Sequence, residues 1–212
     1  MRARLALQAS GLAVELRNIE LKNKPAELLQ ASPKGTVPVL VLSNDRVIEQ
    51  SLDIMVWALK QSAPQGWMPK DGAAMQDALA CVEINDGPFK HALDRYKYPT
   101  RYALSDGLHH RDLAAHLLMH WENRLHSHPH LNGPHWGFLD AAIAPFVRQF
   151  AHTDPTWFAA QNWPQLKRWL AKLEESPEFA AVMQKLPLWQ TGNAPCITRF
   201  AADSASAAAA PT

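Results

Sequence analysis

With 212 residues, 47% of them apolar and 19% charged, the chain can form one large domain or two small ones, burying roughly 70% of its unfolded surface. A formal net charge of +1 supplies no field for nucleic acid or an anionic membrane, and no apolar run approaches the ~18 residues of a spanning helix. Only Cys81 and Cys196 occur, without metal or redox spacing, and the start MRARL opens an amphipathic pattern and not a secretory signal, so a cytoplasmic, reducing setting is expected.

Leu5, Leu7 and the alanines around them favour a helix over residues 2–10, with Gly11 as its stop. Residues 14–21 (VELRNIEL) alternate enough for a half-buried strand, and residues 25–30 read as a short helix with Pro25 at its first turn. Residues 37–42 (VPVLVL) favour a strand. Pro38 cannot donate to a ladder, so it belongs at a strand start or a bulge. There it is a candidate cis bond that presents the N–H and C=O of Val37 to an extended peptide. Ser43-Asn44-Asp45 supply turn chemistry and residues 46–48 return as an antiparallel strand. Gln50-Ser51 then stand where Ile54, Trp57, Ala58 and Leu59 begin a helical stripe to about residue 61. Ser51 suits an N-cap, and a helix start offers N–H groups and a partial positive charge to a carboxylate.

Residues 63–72 (APQGWMPKDG) concentrate Pro and Gly and form a linker. Beyond it the pattern reads as helices alone: residues 73–98 kinked at Gly87-Pro88, 111–126 burying Leu113, Leu117, Leu118, Trp121 and Leu125, and one from near Phe138 that is apolar nearly all round. In that last helix Asp140 is expected to reach back to the backbone at Gly137, and Pro145 to kink it. Further helices are expected over 163–174 and 177–184, followed by a low-complexity, disordered tail. Cys81, in an apolar run, reads as buried filler in preference to a nucleophile. Eight tryptophans without Lys/Arg stripes read as core packing. His116 and His120 have chelating spacing, but no Glu, Asp or Cys completes a set, so no metal site is expected.

The run of Pro-x-Gly-x-Val-Pro, a hairpin, then Gln-Ser-x-x-Ile across residues 32–59 resembles the glutathione site of the glutathione S-transferase superfamily, and the resemblance extends diffusely to about Trp189. It implies a thioredoxin-like α/β N-terminal domain over 1–62, the linker 63–72, an all-α C-terminal domain over 73–190 and the tail 191–212. In that fold a strand precedes the first helix and lies between residues 14–21 and 37–42; here it is missing. Relatives often read Cys-Pro-Tyr-x-Met-Arg-Ala-Arg-Leu, so MRARL looks like a start inside that motif. The residue that activates the thiol is then expected upstream of Met1, which the preceding codons would settle. Beside such a Cys, Arg2 and Arg4 would favour a thiolate; in the chain as given they read as a solvated helix face.

The resemblance further implies that the Val37 backbone pairs with the cysteinyl unit of glutathione, with Pro38 holding the turn. Gln50 and Ser51 take the γ-glutamyl end, and Lys34 the glycine end, unless Lys34 is a solvated turn residue. Asn85 and Asp86 either border the electrophile site and a dimer partner or form a solvated turn. Where relatives often have Ser or Thr at the cap before Asp140, this chain has Gly137. The expected function is glutathione conjugation to electrophiles, or glutathione-dependent thiol–disulfide exchange, by a homodimer with glutathione as co-substrate and no nucleic-acid or membrane partner. The alternative is a non-catalytic glutathione-binding or protein-interaction module.

Overall fold

The structure, a computed structural model, describes residues 1–200; of the expected tail over 191–212, residues 191–200 are described and include a paired strand, Ile197–Thr198, instead of being disordered, and the rest lies outside the described residues. The chain divides into two compact units, Met1–Pro64 together with the chain from Glu175, and Gln65–Glu174.

In the first unit α1 (Arg2–Ser10) stops at Gly11, whose φ of 66° lies in the left-handed region open to glycine. It packs on α3 (Ser51–Gln61), and Leu5, Ala6, Ile54, Met55 and Ala58 are among the buried residues of the pair. Arg2 is only 4% exposed and the Arg4 guanidinium donates to the carbonyl of Val182 at 3.1 Å, so neither lies on a solvated face. The cause is α10 (Pro177–Met183), which packs on α1 and turns that face inward.

Between these helices run β1 (Val14–Glu15), α2 (Ala26–Ala31), β2 (Leu40–Val41) and β3 (Val47–Ile48). β2 and β3 close the expected hairpin, pairing Leu40 with Ile48 and Val41 with Val47. β1 pairs instead with β4 (Ile197–Thr198), antiparallel, and Leu16 N–H adds a bond to Cys196 C=O at 2.8 Å. No strand was legible after residue 73. Two β-branched residues are too short a run to show a period, and only the unpaired edge of β1 makes them a strand. The approach to β4 is fastened by Trp189 N–H donating to Asn18 C=O at 2.7 Å and Asn18 Nδ2 donating to Leu186 C=O at 2.9 Å. Among the described residues the two strand pairs form separate sheets.

The second unit is helical. α4 (Gly72–Ile84) and α5 (Lys90–Lys97) flank a π-helical stretch, Asn85–Phe89, that contains Pro88. A proline removes one backbone donor, and the widened turn absorbs the loss. α6 (Leu108–Ser127) starts earlier than the apolar stripe suggests. It buries Ala114, Leu118, Trp121, Glu122 and Leu125, whereas Leu113 is 44% exposed and off the buried face. α7 (Phe138–Ala151) is the buried central helix. α8 (Pro155–Ala160), which has too few residues to show periodicity, and α9 (Pro164–Glu174) complete the unit.

Two buried carboxylates organise this half. Glu122 on α6 accepts from the backbone N–H groups of Gln165 and Leu166, at 3.2 and 2.7 Å, and so caps α9 from a neighbouring helix. The chain gives α9 no local cap of its own, because Trp163 stands before Pro164. Glu122→Ala should therefore cost about 2–3 kcal/mol, while Glu122→Gln, which keeps an acceptor, should cost less; denaturant melts of the two would show it.

Asp140 makes the expected reach back to Gly137 N–H at 3.1 Å. The structure also explains why the cap is glycine. A Cβ at Gly137 would stand 2.5 Å from Asn132 Nδ2 and 2.8 Å from Trp67 C=O, so a serine there would collide before it could cap.

Candidate functional site

The hairpin sets the geometry of the N-terminal bay. The Val37-Pro38 bond is cis. The ladder pairs Leu40, two residues after Pro38, with Ile48, two residues before Gln50. The hairpin thus returns the chain so that the prolyl turn and the start of α3 lie at the same end.

Val37 is 45% exposed. Among the described residues no hydrogen bond engages its N–H or C=O. The start of α3 is equally uncommitted. Gln50, with φ −100° and ψ 137°, is the N-cap, and Ser51 is the first helical residue, one position later than the sequence suggested. Among the described residues no side chain caps this helix, which leaves its first N–H groups open. Gln50 is exposed and Ser51 half-buried. An unpaired extended backbone beside an uncapped helix mouth can hold a short peptide by its main chain and a carboxylate by the helix start.

Lys34 has a partner within the fold. Its ammonium donates to Glu49 Oε2 at 2.7 Å, while the buried Ser32 hydroxyl donates to Glu49 Oε1 at 2.6 Å. The two donors, Lys34 before Ser32, hold the Glu49 carboxyl below its ordinary range. Glu49 carries no motif of its own. Its partners lie 15 and 17 residues away, so only closure of the hairpin joins them, and no local spacing could reveal the link. The carboxylate ties the Ser32–Lys34 turn to the last residue before Gln50.

The remaining candidates lie in the second unit. Asn85 is fully buried, with Nδ2 donating to Asp86 Oδ1 at 2.8 Å, so Asn85 does not belong to a solvated turn. Burial pushes the Cys81 thiol up, and its sulfur meets Arg124 Nη1 at 3.7 Å, which fits a core filler. Cys196 is half-buried beside β4. Trp121, Trp163 and Trp169 are core residues. Among the described residues no three His, Cys, Asp or Glu side chains group to hold a metal ion, and no helix is long and apolar enough to cross a membrane. A shallow recess of about 200 Å³ between α7, α8 and α9 is lined by Phe158, Lys167, Leu170 and the hydrogen-bonded pair His152 and Glu174, 2.6 Å apart.

Comparison with known proteins agrees with this architecture. Residues 1–61 match the family model described as the glutathione S-transferase N-terminal domain, and residues 90–172 match that of the C-terminal domain. Among solved structures, a glutathione transferase family member from Pseudomonas fluorescens, crystallised with two glutathione bound, superposes with a TM-score of 0.73 at 17% identity, over 85% of this chain and 86% of that one. A glutathione transferase from Burkholderia graminis, with two glutathione molecules bound per subunit, gives 0.71 at 17%, over 85% and 81%. Poplar glutathione transferase F1 gives 0.72 at 16%, over 86% and 90%. At these identities the superpositions speak for the fold, a small N-terminal sheet domain with helices followed by a helical domain. The two family models between them span most of the chain, and on that ground it belongs to the glutathione S-transferase superfamily.

Proposed function

We propose that this chain binds glutathione in the bay between the Val37-Pro38 turn and the start of α3, and serves glutathione conjugation to electrophiles or glutathione-dependent thiol–disulfide exchange. The observation that carries the reading is the exposed, unpartnered Val37 backbone just before the hairpin that leads into the uncapped start of α3. In this reading the Val37 N–H and C=O pair with the cysteinyl unit, Pro38 fixes the turn, and Gln50 and Ser51 take the α-carboxylate and amine of the γ-glutamyl end. In conjugation the thiolate carbon–sulfur bond forms as the leaving group departs with its electron pair, and the thiol proton goes to solvent. In exchange, the thiolate attacks a disulfide sulfur and expels the other sulfur as thiolate. Membership of the family and the glutathione held by the Pseudomonas and Burkholderia proteins support the ligand.

Calorimetric titration with glutathione tests the binding: saturable heat supports the reading, and none at millimolar ligand sinks it. Turnover of an aryl halide against release of glutathione from a mixed disulfide separates the two chemistries. A binding module without turnover is the second reading. It is favoured by Cys81, which is buried in the other unit with its thiol pushed up. Saturable binding with neither turnover would select it. Size-exclusion with light scattering tests the homodimer.

A further inference from the structure

We infer that Glu49 is a positioning residue for the glutathione bay: its carboxylate, held by Ser32 and Lys34, ties the prolyl turn to the start of α3. This deepens the glutathione reading and rests on it. Little else joins those two walls. β2 and β3 form a sheet of two strands, and among the described residues no third strand pairs with either. Their ladder has the rungs Leu40–Ile48 and Val41–Val47 and one further bond, from Leu42 N–H to Arg46 C=O at 2.9 Å. A hairpin this short is marginal by itself. Val37, Pro38, Gln50 and Ser51 all lie beyond its last rung, where the two arms can part. The arm entering α3 is anchored, because Ile54, Met55 and Ala58 are buried. The prolyl arm is not, since Thr36, Val37 and Pro38 are all exposed.

Glu49 closes that gap. The fully buried Ser32 donates its hydroxyl to Oε1 at 2.6 Å, and Lys34 donates to Oε2 at 2.7 Å. Ser32 is the firm end of the tie. Its N–H donates to Leu28 C=O at 2.8 Å as α2 ends, and its C=O accepts from Gly35 N–H at 2.9 Å, closing the turn that leads into Thr36 and Val37. A hydroxyl on a carboxylate makes a strong, charge-assisted bond. The Lys34 side chain is 61% exposed and adds less. On the other wall, Glu49 directly precedes the N-cap Gln50. Both carboxylate oxygens are engaged within the fold, so Glu49 acts on the ligand through the residues it ties and not by touching it.

Without the tie, the ligand must order the prolyl arm before its main chain can pair with Val37. Ordering a single backbone residue carries an entropy cost equivalent to about tenfold in affinity.

The test titrates glutathione by calorimetry, with a thermal melt of each protein, for the parent, Glu49→Ala, Glu49→Gln, Lys34→Glu and the exchange of Lys34→Glu with Glu49→Lys. Glu49→Ala should weaken glutathione about tenfold, while the melting temperature stays within about 4 °C of the parent, the scale of one exposed pair. Glu49→Gln keeps an acceptor for Ser32 and should lose only about threefold. Lys34→Glu should also weaken binding, and the exchange, which rebuilds opposite charges across the same gap, should recover most of the loss. Unchanged affinity in Glu49→Ala overturns the inference. So does an exchange no better than Lys34→Glu alone, since that would put the charge of Glu49, and not the tie, at the ligand. If Glu49→Ala melts lower than expected, Glu49→Gln decides. A parental melting temperature with weakened binding then supports positioning, whereas parental binding, or a fall in both, overturns it. A parent that binds no glutathione overturns the glutathione reading itself.

Discussion

Asp140→Ala is expected to lower the stability of the helical unit by about 3–5 kcal/mol, the largest loss anticipated for any single substitution in this chain. The wild-type carboxylate is fully buried and serves four donors. Leu131 N–H and Trp169 Nε1–H reach Oδ1 at 2.7 and 2.8 Å, and Asn132 N–H and Gly137 N–H reach Oδ2 at 3.1 Å each. One side chain thereby joins the start of α7, the loop before it and α9. Alanine strands all four donors in a site that water cannot easily re-enter, and each stranded donor costs on the order of 1–3 kcal/mol before relaxation. Asp140→Asn keeps one acceptor but turns an amide N–H toward existing donors, so it should recover only part of the loss. A denaturant melt decides the matter, and a midpoint unchanged by Asp140→Ala would refute this account.

The same residue gives the stability a pH signature. Burial pushes the Asp140 carboxyl up, from 3.8 to about 6, against the downward pull of Trp169, Leu131, Asn132 and Gly137. A group whose folded pKa is raised contributes most below its unfolded pKa and loses that contribution as pH climbs through the folded one. The gap in stability between the parent and Asp140→Ala should therefore be wider near pH 4–5 than at pH 7.5, with most of the change falling between 3.8 and about 6. A gap that widened toward neutral pH would mean that the four donors outweigh desolvation. Glu49 runs the other way, since Lys34 and Ser32 hold its carboxyl low. Its tie to the turn is present above the ordinary carboxylate range and is lost as pH falls through its depressed pKa.

Ser51→Ala should weaken glutathione by about 1–3 kcal/mol, roughly 5- to 150-fold in Kd, with little change in melting temperature. The separation of the two readouts follows from the structure. Ser51 is the first residue inside α3, no side-chain cap depends on it, and alanine is the better helix former. Any loss must then come from the ligand's carboxylate or amine, left facing a methyl group beside the uncapped N–H groups. An unchanged Kd would take Ser51 out of the site, and a fallen melting temperature would make its role structural.

Much of this was legible in the residues themselves. The Pro-x-Gly-x-Val-Pro run, the polar hairpin and Gln50-Ser51 sit within one stretch of chain, where turn chemistry and helix starts are governed by nearest neighbours, and α3 spans the residues its stripe indicates. The reach of Asp140 to Gly137 follows from a three-residue spacing in the same way. What was misread shares one property. Arg4 is held by Val182 of α10, Leu113 is exposed because α6 turns another face inward, and Ile197–Thr198 become a strand on the edge of β1. Each depends on a partner distant in sequence.

The sequence by itself determined the family and the order of helices and hairpin, because these rest on local backbone preference and short spacing. Only the tertiary structure decided that Lys34 pairs with Glu49, that Glu122 caps a helix forty-odd residues away and that Asp140 gathers four donors. Hydrogen bonds and ion pairs between distant residues leave no period in the chain. They exist only once packing has brought their ends within about 3 Å.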